Sequence, residues 1–176
     1  MARNEEKKSA VAGVVLSLGD DISTDTIYPG RFMATVLPTE TPQHAFADYA
    51  DFNAKLRKRE IAPGSAIVAG ANFGCGSSRE QAVSALKGHE LVIVAKGFAR
   101  IFLQNAVNLG LQTQACKDIV ASEGDELELT PDHVVNRTMG RKFKIQPLPQ
   151  ARQAIMAAGG LIPYTRKRLL EKRSSA

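Results

Sequence analysis

The chain has 176 residues, a formal net charge of +5, and 44% hydrophobic against 23% charged residues. That length suits one domain with a sizeable core rather than two, and the ordinary globular balance excludes a wholly disordered or membrane-spanning chain. Much of the positive excess lies in Arg166-Lys167-Arg168 and Lys172-Arg173. With no tryptophan and few aromatic residues, this end reads as a solvated or frayed terminus rather than a nucleic-acid surface.

Met1 to Lys8 is a charged tail, and the apolar run Val11 to Leu18 behind it is broken by Gly13 and Ser17. It is too short for a signal peptide and right for a buried strand, so a cytoplasmic protein is expected, with no membrane partner. Gly19 to Thr26 has turn residues whose side chains bond their own backbone, which accounts for Asp20 and Asp21. Thr41 to Arg59 places Ala45, Phe46, Tyr49, Phe52 and Leu56 at helical spacing and reads as a covering helix; His44 on it has no metal-binding companion. Ser65 to Ala69 is a strand, Gly88 ends a helix begun near Arg79, and Leu91 to Ala95 is a strand covered on both faces. His89 and His133 read as ordinary hydrogen-bonded or surface histidines.

Phe98, Ile101 and Phe102 start another helix, stopped at Gly110 before a strand through Leu111 to Ala115. This alternation gives a mainly parallel core sheet. Glu126 to Leu129, Val134-Val135 and Phe143 to Ile145 are short β-like pieces that make a small antiparallel addition, and Pro149 to Ala158 is a final helix stopped by Gly159-Gly160. No repeat or linker divides the chain. The expected organisation is one α/β domain over residues 1–176 with frayed charged ends.

The most informative stretch is Gly70-Ala71-Asn72-Phe73-Gly74-Cys75-Gly76-Ser77-Ser78-Arg79-Glu80-Gln81, which runs from a strand through a glycine loop into a helix. Glycines let a ligand approach bare backbone, and the helix start offers unpaired N–H groups and partial positive charge. Arg79 adds a planar fork suited to a carboxylate, and Ser77 and Ser78 add hydroxyls. Capping alone competes with this reading. Ser77-x-x-Glu80 and Ser78-x-x-Gln81 both fit a capping box, although only one register can be used; if Ser78 caps, Ser77 is free to face the ligand.

Asn72 to Glu80 resembles the signature of the small subunit, or swivel domain, of aconitase-type hydro-lyases, a family that includes isopropylmalate isomerase, homoaconitase and dimethylmalate dehydratase. The resemblance also takes in Gly19 to Asp25, Phe98 to Phe102 with Asn105 and Asn108, and Ala158 to Ile162. It implies a swivel-domain fold of β/β/α layers. It also implies that Ser77 acts as an alkoxide base, that Ser78 and Arg79 hold a substrate carboxylate, and that Asp25, in a Thr-Asp pair, organises the site. Relatives often carry Tyr-Leu-Arg where this chain has Phe32-Met33-Ala34, so an expected arginine contact is absent. Arg31 is the candidate to supply that cation from a shifted position, and the apolar trio suits a small alkyl group better than a third carboxylate.

Chemistry of this family depends on an iron–sulfur cluster held by cysteine thiolates, and Cys75 and Cys116 are the only cysteines here. The resemblance therefore implies a 4Fe-4S cluster on a separate large subunit, no metal or cofactor bound by this chain, and a small hydroxy-dicarboxylic acid such as isopropylmalate as substrate. Association of this chain with itself in isolation stays open. Two other classes compete: an anion-binding or assembly subunit without catalysis, and a thiol enzyme using Cys75 at the helix start.

Overall fold

The computed structural model describes residues 10–174; the charged tail Met1 to Lys8 lies outside them. Three short apolar runs, Ala10–Ser17 (β1), Ala66–Ala69 (β2) and Val92–Ala95 (β3), form a parallel ladder that Thr113–Ala115 (β4) extends. All four residues of β2 are buried, as a strand covered on both faces requires. Glu126–Leu129 (β5), His133–Asn136 (β6) and Arg141–Lys144 (β7) continue from β1 as antiparallel neighbours, giving the order β4-β3-β2-β1-β5-β6-β7. The expected parallel core with its antiparallel addition is what the chain forms.

The sheet curls until its ends meet. Gln146, just past β7, donates its backbone N–H to the carbonyl of Ala115 on β4 at 2.7 Å. Inside the curl, Ala12, Val14, Val68, Val94, Cys116, Leu127, Val134 and Phe143 share one core; outside it, Leu16, Ile67, Ile93, Leu86 and Phe102 share another under the helices. Strand β1 serves both through a bulge: Val14 is opposite Ala66 but Leu16 is opposite Ile67, so the extra residue Val15 turns Leu16 to the helix side.

The helices are Thr24–Ile27 (α1), Ala50–Arg57 (α2), Glu80–Gly88 (α3), Arg100–Leu109 (α4), Gln150–Ala157 (α5) and Leu161–Ser174 (α6). Two expectations need correction. Residues 41–59 are not one helix: Thr41–His44 is a 3-10 turn, and Phe46 adopts φ 51° before α2 starts. Burial decides this, because Phe46 is fully buried and donates its N–H to the carbonyl of Ile27 at 2.7 Å. Helix α3 ends at Gly88 as expected, although without a left-handed turn there: a Cβ at Gly88 would sit 2.2 Å from Pro42 Cγ, and Glu90 takes the positive φ. The basic end does not fray over residues 161–174 but forms α6, exposed along almost its whole length.

Helix α4 ends where expected, at Gly110 with φ 74°, and Lys87 donates to the carbonyls of Leu109 and Gly159, bracing the ends of α4 and α5. At the other end of α4, Phe102 packs edge-on against Phe73 and fills the space beside Gly74, whose φ is 81°. A Cβ on Gly74 would lie 2.2 Å from Phe102 Cγ. Gly74→Ala is therefore expected to destabilise the fold by about 3 kcal/mol through overpacking and left-handed strain together. Urea unfolding measures it; a loss under about 0.5 kcal/mol would contradict this packing.

Candidate active site

The chain leaves β1, β2 and β3 at their carboxyl ends into three loops that backbone hydrogen bonds join into one platform. Gly74 N–H and Cys75 N–H donate to the Ile22 carbonyl at 2.7 and 3.2 Å, and Thr24 N–H donates to the Cys75 carbonyl at 2.8 Å. Phe73 N–H donates to Gly97 and Ala99 N–H to Phe73, at 3.0 and 2.9 Å. Ligands in α/β folds gather at this end of a parallel sheet.

Asp20 and Asp21, expected to bond their own turn, instead reach across to the neighbouring loop. Asp20 Oδ1 accepts the Ala71 N–H and Asp21 Oδ1 accepts Asn72 Nδ2–H, each at 2.7 Å. Their acids tie the first loop to the second.

Arg79 is the N-cap residue of α3, and no side chain caps that helix. Neither serine capping register is used. Ser77 and Ser78 are both exposed on the loop ahead of the helix, beside its positively polarised start. The Arg79 side chain is only 16% exposed; its Nη1 pairs with Asp25 Oδ1 and donates to the Tyr28 carbonyl at 3.3 Å. Asp25 Oδ1 also accepts the Gly30 N–H at 3.2 Å. Glycine at position 30 is what fits there, since a Cβ would come within 3.3 Å of both Arg79 Nη2 and Asp25 Oδ1.

The structure thus brings Asp25, Ser77, Ser78 and Arg79 to one surface. Arg31 is next in chain to Gly30, but its guanidinium is held by Asp48 in a two-pronged pair, with Nη1···Oδ2 at 3.3 Å. Sequence reasoning did not find Thr24, whose buried hydroxyl touches Ser77, nor Asp48, nor the Tyr28 carbonyl. Each acts across 17 to 53 residues of chain, and only Thr24 carried a local signal, as the first member of the Thr-Asp pair. His44 stacks on Phe32 with centroids 4.0 Å apart, and burial lowers its pKa; His89 Nε2 lies 2.9 Å from the Pro42 carbonyl.

Cys75 contacts the Asp21 carbonyl at 3.4 Å on the serine loop, whereas Cys116 is buried inside the curl, where desolvation pushes its thiol up to about 11. Two thiols so placed do not fit the cysteine set of an iron–sulfur cluster. Among the described residues no group of three or more His, Cys, Asp or Glu side chains could hold a metal ion, and no helix is long and apolar enough to cross a membrane.

Residues 21–117 match the Aconitase C-terminal domain family. The chain belongs to that family and is an aconitase-type small subunit. It is 39% identical to the 3-isopropylmalate dehydratase small subunit of Thermodesulfovibrio yellowstonii, over 90% of this chain and 95% of that one. It is 42% identical to the isopropylmalate/citramalate isomerase small subunit of Methanocaldococcus jannaschii, over 93% and 98%, and 41% identical to the 2,3-dimethylmalate dehydratase small subunit of Eubacterium barkeri, over 86% and 94%. The crystal structure of 3-isopropylmalate dehydratase from Methanocaldococcus jannaschii superposes with a TM-score of 0.85 at 35% identity, covering 96% of this chain and all of that one.

Two outcomes test the site geometry. The Arg79 hydrogen bond holds the Asp25 carboxyl below the ordinary 3.8. The pair is therefore intact above that value and weakens as pH falls through the lower folded one, a modest effect for a side chain 59% exposed. A carboxyl NMR titration should give a midpoint below 3.8, and Arg79→Met should raise it; a midpoint unchanged by that substitution would refute the pairing. Iodoacetamide at mildly alkaline pH should label Cys75 and spare Cys116 until the chain unfolds, as peptide mass spectrometry reads out.

Proposed function

We propose that this chain is the small subunit of an aconitase-type hydro-lyase and that it brings the base and the carboxylate grip to a hydroxy-dicarboxylic acid such as isopropylmalate. The observation that supports this reading most is a half-built site: Ser77 and Ser78 face solvent beside a largely buried arginine whose orientation Asp25, Tyr28 and Gly30 already fix. A complementary surface must close over them.

In this reading the Ser77 alkoxide takes a proton from a substrate carbon, the electron pair of that bond forms the alkene, and hydroxide leaves the neighbouring carbon. The proton on Ser77 and the departed hydroxide together make up the water removed. An iron–sulfur cluster on a large subunit would supply the Lewis acid for that hydroxyl. The start of α3 and the Arg79 cation favour the serine anion and the substrate carboxylate. Asp25 engages one nitrogen of Arg79 and leaves its other N–H groups for the carboxylate, so Asp25 orients the grip, and Ser78 adds a hydroxyl beside it.

The loop around Phe32 and Met33 faces the substrate's side chain and favours an alkyl group. Arg31 contributes a cation only by leaving Asp48, which sets it apart from Arg79. Dimethylmalate and citramalate, named for relatives, remain in the same chemical class. Two unpaired cysteines suit a reducing compartment, and we place the assembly in the cytoplasm.

The test is reconstitution with a cluster-bearing large subunit on a panel of isopropylmalate, citramalate and dimethylmalate. Ser77→Ala should lower kcat by about 100-fold or more while the subunit still folds and assembles. Arg79→Lys, which keeps charge but loses the fork, should lower kcat/KM by a similar factor. Turnover near normal in either variant would sink the assignment, and so would turnover by this chain without a partner.

A further inference from the structure

We infer that Thr24 is a positioning residue for Ser77: its buried hydroxyl fixes the serine side chain and turns to donate to the serine oxygen once that oxygen is charged. The inference rests on the reading of Ser77 as the base.

Thr24 opens α1 and is only 2% exposed. Its N–H is bonded to the Cys75 carbonyl at 2.8 Å, so its backbone is locked to the serine loop two residues before Ser77. Between them Gly76, with φ 90°, turns the loop over the threonine. Thr24 Oγ1 then lies 3.0 Å from the Ser77 carbonyl oxygen and 3.4 Å from Ser77 Oγ. One side chain touches both polar ends of the same serine.

A threonine hydroxyl carries one proton and two lone pairs. While Ser77 is neutral, Thr24 donates to the Ser77 carbonyl and can accept from the serine hydroxyl. When Ser77 is an alkoxide it has no proton to give, and the useful arrangement reverses: Thr24 must donate to Oγ. That reversal leaves no carbonyl unpaired, because the Ser77 carbonyl also accepts the Arg79 N–H at 2.8 Å. Only the O–H rotor moves, since a β-branched side chain packed at 2% exposure keeps its χ1. The 3.4 Å separation is long for a neutral O–H···O bond, and charge on the acceptor shortens such contacts.

No proton is exchanged with Thr24. The proton from substrate carbon ends on Ser77 Oγ, and the threonine hydroxyl returns to the carbonyl. Charged and titratable groups around this junction include Asp25 beside it on α1, Asp21 against Cys75, Cys75 and Arg79 on the serine loop, and Glu80 in the first turn of α3, and all stay unaltered in the variants below.

The experiment compares kcat against pH for the reconstituted enzyme carrying wild-type chain, Thr24→Val, Thr24→Ser and Ser77→Ala. Thr24→Val keeps the shape and loses the hydroxyl. It should assemble normally, keep KM within about threefold, lose roughly 30- to 100-fold in kcat, and shift the rising limb of its pH profile upward by about one unit. Thr24→Ser should restore both. If Thr24→Val fails to assemble, Thr24→Cys, of similar size but a weak donor, carries the same comparison. A wild-type profile for Thr24→Val beside a dead Ser77→Ala would overturn the inference alone. Equal impairment of Thr24→Ser and Thr24→Val would overturn it as well, by assigning the effect to the methyl group. An active Ser77→Ala would overturn the base assignment and the role of Thr24 with it.

Discussion

Backbone hydrogen bonds between the loops leaving β1 and β2 are the constraint on which the site depends. Ile22 receives two N–H groups from the serine loop and Thr24 gives one back, so the two loops behave as an irregular extension of the parallel sheet. A third loop joins through Phe73, whose ring packs edge-on against both Phe98 and Phe102. The polar groups are thus placed by main chain and aromatic packing. Side chains such as Asp20, Asp21 and Asn72 then sew the edges together.

The serine loop shows how rigidity and exposure coexist. Its glycines and buried Phe73 anchor the front half, and Arg79 is pinned at the back, while Ser77 and Ser78 between them face outward. An isolated helix start would bind many anions. Here the arginine beside it is already oriented, and the Thr24 hydroxyl touches Ser77.

Where the sequence is legible, the reason is local chemistry. The β-branched runs at 66–69 and 92–95 and the glycine at 110 impose their conformations within a few residues, and the structure follows them. The Gly-Ser-Ser-Arg stretch marks a loop leading into a helix start, and the structure places it there, with both serines exposed ahead of α3. Failures occur where distant burial wins. Phe46 abandons helical geometry to fill the core, and the serines decline a capping pattern that the letters allow. Thr24, Asp48 and Tyr28 take their places at the site through contacts that no window of sequence contains.

The bulge at Val15 has a consequence for how this domain tolerates change. Ahead of it β1 belongs to the enclosed barrel-like interior, and behind it to the helix-covered core. A deletion there would leave the first half of the strand paired with β5 while turning Leu16 and the end of β1 to the opposite face. The two cores are therefore joined through a single phase setting in one strand.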